Sequence, residues 1–141
     1  MVRMTEKEFL ETYMVAQRKV DALRAEYEAQ RLAADSIRSA LDGDGGRTTE
    51  ISRPVERAAV KLAEKAEALR AAEVEALRAR VDVEIVVNAV PDVMGAVLWE
   101  RFVNLKPWGA VAKAVGYSKR QTFRYYEAGL VFVRRLLALE K

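Results

Sequence analysis

The sequence predicts an all-α protein: a long N-terminal antiparallel helical hairpin, or coiled coil, followed by a small three-helix domain with a helix-turn-helix. Three observations support this. Apolar residues recur at steps of four and three through residues 9–41, a glycine-rich loop interrupts the pattern, and a capped basic helix follows later in the chain. The predicted boundary lies at Pro91, because proline disfavours helical geometry at the preceding residue. The hairpin is therefore placed at 1–90, with its loop at 42–53, and the helix-turn-helix domain at 91–141.

The first helix is expected to begin after Thr5, a favoured N-cap residue with Glu8 three positions later. Its apolar residues keep a 3.5-residue period, which is typical of a coiled-coil seam rather than an ordinary amphipathic helix. The seam positions are Phe9, Tyr13, Ala16, Val20, Leu23, Tyr27, Gln30, Ala34, Ile37 and Leu41.

A second long helix is expected to follow the loop and to run to about Val90. Ser52 and Pro54 suit its N-cap and first helical positions. Its seam drifts in phase in the second half, which predicts a stutter or a loosened coil. The predicted seam comprises Val55, Ala59, Leu62, Ala66 and Leu69, and then Leu77, Val81 and Ile85. The sequence leaves open whether the two helices pair within one chain or with a second chain.

Three further helices are predicted beyond Pro91. The first covers residues 93–103 with Asp92 as its cap, the second covers 108–114, and the third runs from Lys119 to about Leu139. The inner side of the last helix is expected to consist of Thr122, Tyr125, Tyr126, Gly129, Leu130, Val133 and Leu137.

The turn before the last helix has a distinctive chemistry. Gly116 can take a positive φ without steric penalty, and Ser118 followed by Gln121 has the pattern of a capping box. The helix then begins with the long basic residues Lys119, Arg120 and Arg124. A capped helix with such side chains in its first two turns fits a DNA major groove.

Positive charge is concentrated in the same part of the chain. Residues 92–141 hold nine Lys and Arg against four Asp and Glu, a net charge of +5, whereas the preceding 91 residues have a net charge of −2. Such a distribution is expected of a phosphate-binding module.

The composition excludes several classes of function. The chain has no cysteine and no histidine, which rules out disulfides, the usual zinc sites and catalysis by those residues. Asp42 and Asp44 have the spacing of a calcium loop, but the later ligands are missing. We therefore expect no metal, no cofactor and no enzymatic activity, and a cytoplasmic protein without a membrane span or signal peptide.

The C-terminal half resembles the sigma factor region-four domain, and within it the small phage-encoded regulators of the ArpU and RinA kind. The resemblance rests on Leu98-x-x-Arg101-Phe102 with Trp108 six residues later, on Val111-Ala112, and on Gly116-Tyr117-Ser118 followed by Arg124 and Leu130. The long N-terminal helices are also similar to members of this group. The resemblance implies DNA binding and control of phage late or packaging-linked transcription.

Carried over to this sequence, the resemblance implies that Lys119, Arg120 and Arg124 reach bases, flanked by Gln121 and Phe123. Ser118 caps the helix and is placed to touch a phosphate. Further candidates for phosphate contacts are Lys113, Arg134 and Arg135, although the last two also suit the negative end of the helix dipole.

The predicted function is sequence-specific binding of double-stranded DNA in transcriptional regulation, in a phage or prophage. The coil would form a homo-oligomer or dock onto RNA polymerase. Two alternatives stay open: a small terminase subunit that binds DNA for packaging, and an adaptor for RNA polymerase or another protein that does not bind DNA.

Overall fold

A computed structural model of the chain describes residues 4–42 and 49–139, with side chains for 4–40 and 53–139. Within these ranges the chain forms five α-helices and no strand, which confirms the all-α class. The helices are α1 (Glu6–Asp42), α2 (Thr49–Asn88), α3 (Asp92–Phe102), α4 (Trp108–Val115) and α5 (Lys119–Leu139). The glycine-rich part of the predicted loop, residues 43–48, and the Asp44 position lie outside the described residues.

The first helix begins where its cap predicts. The Glu8 N–H donates a hydrogen bond of 3.1 Å to Thr5 Oγ1, which satisfies one of the free N–H groups at the helix start. Every predicted seam position from Phe9 to Ile37 is buried or half-buried, while most intervening residues are exposed. The side chain of Leu41 lies outside the described residues. The 3.5-residue period therefore identified sheltered positions of α1 correctly, but it missed Leu10 and Met14, which are also buried.

The second helix starts earlier than the sequence predicts. It begins at Thr49, so the assignments of Ser52 as N-cap and Pro54 as first helical residue are wrong, and residues 49–53 are not part of a loop. Proline lacks the N–H for one backbone hydrogen bond. Because Pro54 lies within the second turn, the loss is confined to one bond near the helix end, and the helix extends past it.

The predicted drift of the α2 seam is also wrong. Leu77, Val81 and Ile85 are 63%, 45% and 61% exposed. The sheltered residues instead keep alternating steps of three and four along the whole helix, because the phase set by the first half continues unchanged. They are Val55, Ala58, Leu62, Lys65, Leu69, Ala72, Ala76, Ala79, Val83 and Val86, and Val90 continues the pattern just beyond the helix end. Ala66, a predicted seam residue, and Glu84 are half-buried beside them, and Val87 is buried. Ala59, a predicted seam residue, is exposed, and Ala58 takes its place.

The chain divides into two compact units. A two-helix unit comprises Gln17–Glu75, and a five-helix unit comprises Met1–Ala16 and Ala76–Lys141. In the two-helix unit, Val20 is 2% exposed, and two ion pairs link α1 to α2: Lys65 Nζ to Glu26 Oε1 at 3.4 Å and Arg24 to Glu73 at 3.8 Å. These pairs are exposed and contribute little to stability.

The five-helix unit contains the larger core. Within it α3 packs against α4 and α5, and α4 packs against α5. Its buried apolar side chains come from all five helices and include Leu10, Tyr13, Met14, Val83, Val87, Val97, Leu98, Phe102, Val111 and Val133. The division does not coincide with the predicted boundary at residue 90, because the first turns of α1 and the last turns of α2 supply core residues to this unit.

The α2–α3 junction is a tight turn. Pro91, not Asp92, occupies the N-cap of α3, so the predicted cap is wrong, and no side chain caps this helix. Asp92 takes a positive φ of 56°, a conformation that costs a non-glycine residue free energy. The turn brings the Val90 carbonyl against the backbone of Gly95, leaving no room for a Cβ there.

Candidate functional site

The connection between α4 and α5 depends on one glycine. Gly116 adopts the left-handed conformation (φ 78°, ψ 27°), as the sequence predicts, and its N–H donates to the Ala112 carbonyl oxygen at 2.9 Å. The Tyr117 N–H donates to the same oxygen at 3.2 Å. Such bonds satisfy the carbonyls at a helix end, and they turn the chain sharply out of α4.

Ser118 caps α5, which also confirms the prediction. The Gln121 N–H donates to Ser118 Oγ at 3.2 Å. The Ser118 carbonyl oxygen accepts both the Thr122 N–H at 2.9 Å and the Thr122 hydroxyl at 2.8 Å. Because these bonds fix where α5 starts, they also fix which side chains stand in its first two turns.

The inner side of α5 is the predicted one. Thr122, Gly129 and Val133 are buried, and the other four predicted residues are half-buried. The opposite side of the first turns is open to solvent and presents Lys119, Arg120, Phe123, Arg124 and Glu127. Gln121 is half-buried. The predicted DNA-facing residues therefore lie together at one end of α5.

These cations form no ion pair with any acid in the described part of the chain. Among the described residues, none of Lys113, Lys119, Arg120, Arg124 and Arg135 takes part in an ion pair, and all five are exposed. Lys119 lies over the start of α4, with its Cε 3.6 Å from the place a Cβ on Gly109 would occupy. The surface of α4 and α5 near Ser118 is therefore positive: Glu127 is the acid on the exposed side of the first turns of α5, and it forms no ion pair with these cations among the described residues.

Arg134 differs from the other cations. Its Nε and one terminal nitrogen donate to Glu6 Oε1 at 3.2 and 2.7 Å, although its side chain is 68% exposed. This bond lowers the pKa of the Glu6 carboxyl. The guanidinium already has an anionic partner, so a phosphate would have to compete with Glu6 for it. Arg135 has no such partner among the described residues.

An aromatic cluster joins α4 to α5. The Trp108 ring centroid lies 4.7 Å from that of Phe123 and 4.9 Å from that of Tyr126, and Phe102 lies 6.0 Å from Tyr126. Burial raises the pKa of the Tyr126 hydroxyl. Phe123 was expected to flank the DNA contacts. The structure places its ring against Trp108, while 39% of the residue stays exposed.

Arg101 is a structural residue that the sequence did not single out for this role. Its guanidinium carbon lies 4.9 Å from the Trp108 ring centroid, and one terminal nitrogen donates to the Lys106 carbonyl oxygen at 3.0 Å. Lys106 in turn pairs with Glu100 at 2.5 Å and lowers the pKa of that carboxyl. Arg101 therefore ties α3 both to the connection before α4 and to the aromatic cluster.

Tyr117 is the second residue that sequence reasoning missed. It lies in the turn, 41% exposed, with its ring 5.1 Å from that of Tyr125. A hydrogen bond with Tyr125 raises the pKa of the Tyr117 hydroxyl. The sequence feature that could have identified Tyr117 is an aromatic residue directly before the predicted helix cap Ser118.

We expect Arg101→Met to lower the free energy of unfolding by about 1–3 kcal/mol, because it removes a charged hydrogen bond and a cation–π contact while keeping an unbranched side chain. Urea denaturation followed by circular dichroism measures this. Arg135→Met is the control, since Arg135 is exposed and forms no ion pair among the described residues. Equal stabilities of the two variants would contradict the structural role of Arg101.

The described residues contain no group of three or more acidic side chains placed to hold a metal ion. No helix within residues 4–42 and 49–139 is both long and apolar enough to span a bilayer. The chain matches no protein-family model, and no significant match is found among curated proteins or solved structures.

Proposed function

We propose that the chain is a sequence-specific DNA-binding regulator of transcription, in which α4, the turn at 116–118 and α5 form a helix-turn-helix. One observation carries the proposal. The first two turns of α5 present Lys119, Arg120 and Arg124 to solvent, without acidic partners among the described residues, on a helix whose start Ser118 fixes.

In the proposed complex the start of α5 enters the major groove. Arg120 and Arg124 read base edges, with guanine as the favoured partner because its O6 and N7 accept the two parallel N–H groups of a guanidinium. Lys119, beside the start of α4, and the exposed Lys113 and Arg135 neutralise phosphates and set the orientation of the helix. Gln121 and Phe123 lie beside these contacts, and Ser118 holds the start of α5 in place.

The long helices are proposed to pair as an antiparallel hairpin. In the two-helix unit, the ion pairs join Arg24 to Glu73 and Glu26 to Lys65. The partner's position on α2 moves back toward the helix start as the position on α1 moves forward, as expected for antiparallel helices. The continuous sheltered side of each helix supports the same pairing. In this proposal the hairpin supports the DNA-binding helices, and the resemblance of residues 98–130 to phage late regulators is the ground for placing the protein in phage or prophage gene control.

The test is the salt dependence of DNA binding by the full chain. If Lys113, Lys119 and Arg135, the three cations assigned to phosphates, each neutralise one phosphate, the logarithm of affinity falls against the logarithm of salt concentration with a slope of about −3. Fluorescence anisotropy with a labelled duplex measures it. Lys113→Gln should make the slope shallower by about 1. Arg57→Gln, an exposed change in the two-helix unit, should leave it unchanged.

Selection of binding sites from a random duplex pool tests sequence specificity. An enriched motif supports a regulator that reads sequence. Absence of binding at low salt overturns the proposal and favours the adaptor, which would bind protein through the same fold. Binding without an enriched motif overturns sequence-specific readout.

A further inference from the structure

An exposed apolar stripe runs along the last three turns of α2. Leu77, Val81 and Ile85 stand at steps of four on the side of the helix opposite the buried Ala76, Val83 and Val87. Residues at this spacing lie above one another on a helix surface. The stripe is not needed for the core of the five-helix unit, because residues on the other side of α2 fill that role.

The charges beside the stripe are arranged in a self-complementary way. Arg78 and Asp82 lie on one flank, both exposed, and neither takes part in an ion pair among the described residues. On the other flank Arg80 and Glu84 already pair with each other at 2.9 Å. The stripe therefore has one flank that is internally neutralised and one flank with two unpaired charges of opposite sign.

We propose that this stripe is the contact between two copies of the chain, which pair antiparallel about a two-fold axis at Val81. The stripe is symmetric about that residue, so Leu77 of each copy faces Ile85 of the other and the two Val81 side chains meet on the axis. A two-fold contact uses the same patch on both copies, which a symmetric stripe allows.

The same axis brings the unpaired charges together. On the shared flank, Arg78 of one copy lies about 3 Å along the helix axis from Asp82 of the other, at 1.5 Å per residue, which is within reach of an arginine side chain. The two-fold axis generates this pair twice. A strongly acidic or basic partner would meet one of these charges with like sign, whereas a second copy satisfies both.

The area buried by this contact is expected to be at the low end of the range for specific interfaces. The dimer should therefore be weak, and its population should depend on concentration. It does not involve α4 or α5, and the proposal is independent of DNA binding.

Sedimentation velocity of the full chain, from low micromolar to near-millimolar concentration, tests the proposal. The wild-type chain should pass from monomer to dimer. Ile85→Asp should raise the dissociation constant about tenfold or more, because it places a charge against an apolar side chain. Val15→Asp is the matched control, since Val15 is 59% exposed on α1 and lies outside the stripe. Circular dichroism verifies that both variants remain helical.

A charge exchange tests the geometry. Arg78→Asp leaves two acids on the flank and Asp82→Arg leaves two bases, so each single variant should dimerise more weakly than wild type. An equimolar mixture of the two variants should associate more strongly than either alone, because each chain then faces opposite charges at both positions. A wild-type chain that stays monomeric, a dimer that Ile85→Asp leaves intact, or a mixture no stronger than its components would each overturn the proposal.

Discussion

Gly95→Ala is expected to lower the free energy of unfolding by about 3 kcal/mol or more, at the upper end of the cost of overpacking. A Cβ at this position would stand well within the van der Waals contact distance of the Val90 carbonyl oxygen and 3.2 Å from the Val90 carbonyl carbon. Both are backbone atoms, so no side-chain rotation relieves the clash. Val90 is itself 5% exposed, and the Gly95 N–H donates to the Pro91 carbonyl oxygen at 3.2 Å, so the turn has little freedom to retreat.

Urea denaturation of the full chain measures this loss, and Gly109→Ala provides the control. Gly109 also lies in a helix, but its added Cβ would meet only the flexible end of Lys119 at ordinary contact distance. Alanine is the better helix former by up to about 1 kcal/mol, so this variant should match or exceed wild-type stability. If Gly95→Ala unfolds at the wild-type urea concentration, the close approach in the α2–α3 turn is wrong.

The double variant Arg120→Ala, Arg124→Ala is expected to weaken binding to a selected DNA site by about thirtyfold or more, since each good arginine–base contact contributes about 1–3 kcal/mol. The loss should also flatten the sequence preference at the positions that these residues read. Both side chains are exposed, so the stability of the fold should change by less than about 0.5 kcal/mol.

Arg134→Ala is the matched control for this experiment. Arg134 lies on the same helix, but its guanidinium is bonded to Glu6. Its loss should change DNA affinity little and should affect all sequences alike. If Arg134→Ala abolishes sequence preference while the double variant retains it, α5 lies in the groove in the reverse direction, and the proposed reading residues are wrong.

Features set by local chemistry could be predicted from the sequence. The caps at Thr5 and Ser118 and the left-handed turn at Gly116 depend on residues within four positions of one another, and all three were predicted correctly. The inner side of α5 followed from its period in the same way. The start of α2 was predicted too late. Pro54 suits the first turn of a helix, but proline is also tolerated in the second turn, where the structure places it.

The α2 stripe shows why the hydrophobicity of individual residues did not predict which side of α2 is buried. Leu77, Val81 and Ile85 are larger and more apolar than Ala76 and Ala79, so a reading by residue type assigns them to the core. The phase of the sheltered positions is instead set by the continuous geometry of a long helix, and alanine is buried where that phase requires it.

Contacts between distant residues could not be predicted for a different reason. Glu6 and Arg134 are 128 positions apart, and nothing in the sequence near either one indicates its partner. Arg101 was part of a recognised pattern with Phe102 and Trp108, but its contacts with Trp108 and Lys106 depend on how α3 packs against α4. The exposed cations of α5 could therefore be located from the sequence, but the ion pair of Arg134 with Glu6 could not.

The five-helix unit draws its core from residues far apart in the chain, and this affects how the protein is made. Leu10, Val83 and Val133 are all buried within it, so the unit cannot close until α5 has left the ribosome. At about 5–20 residues per second, the first turns of α1 wait several seconds for α5 to be synthesised, whereas the two-helix unit is finished well before that. A fragment that begins at residue 91 would lack the core side chains of α1 and α2, and should expose apolar surface and aggregate rather than fold as an independent domain.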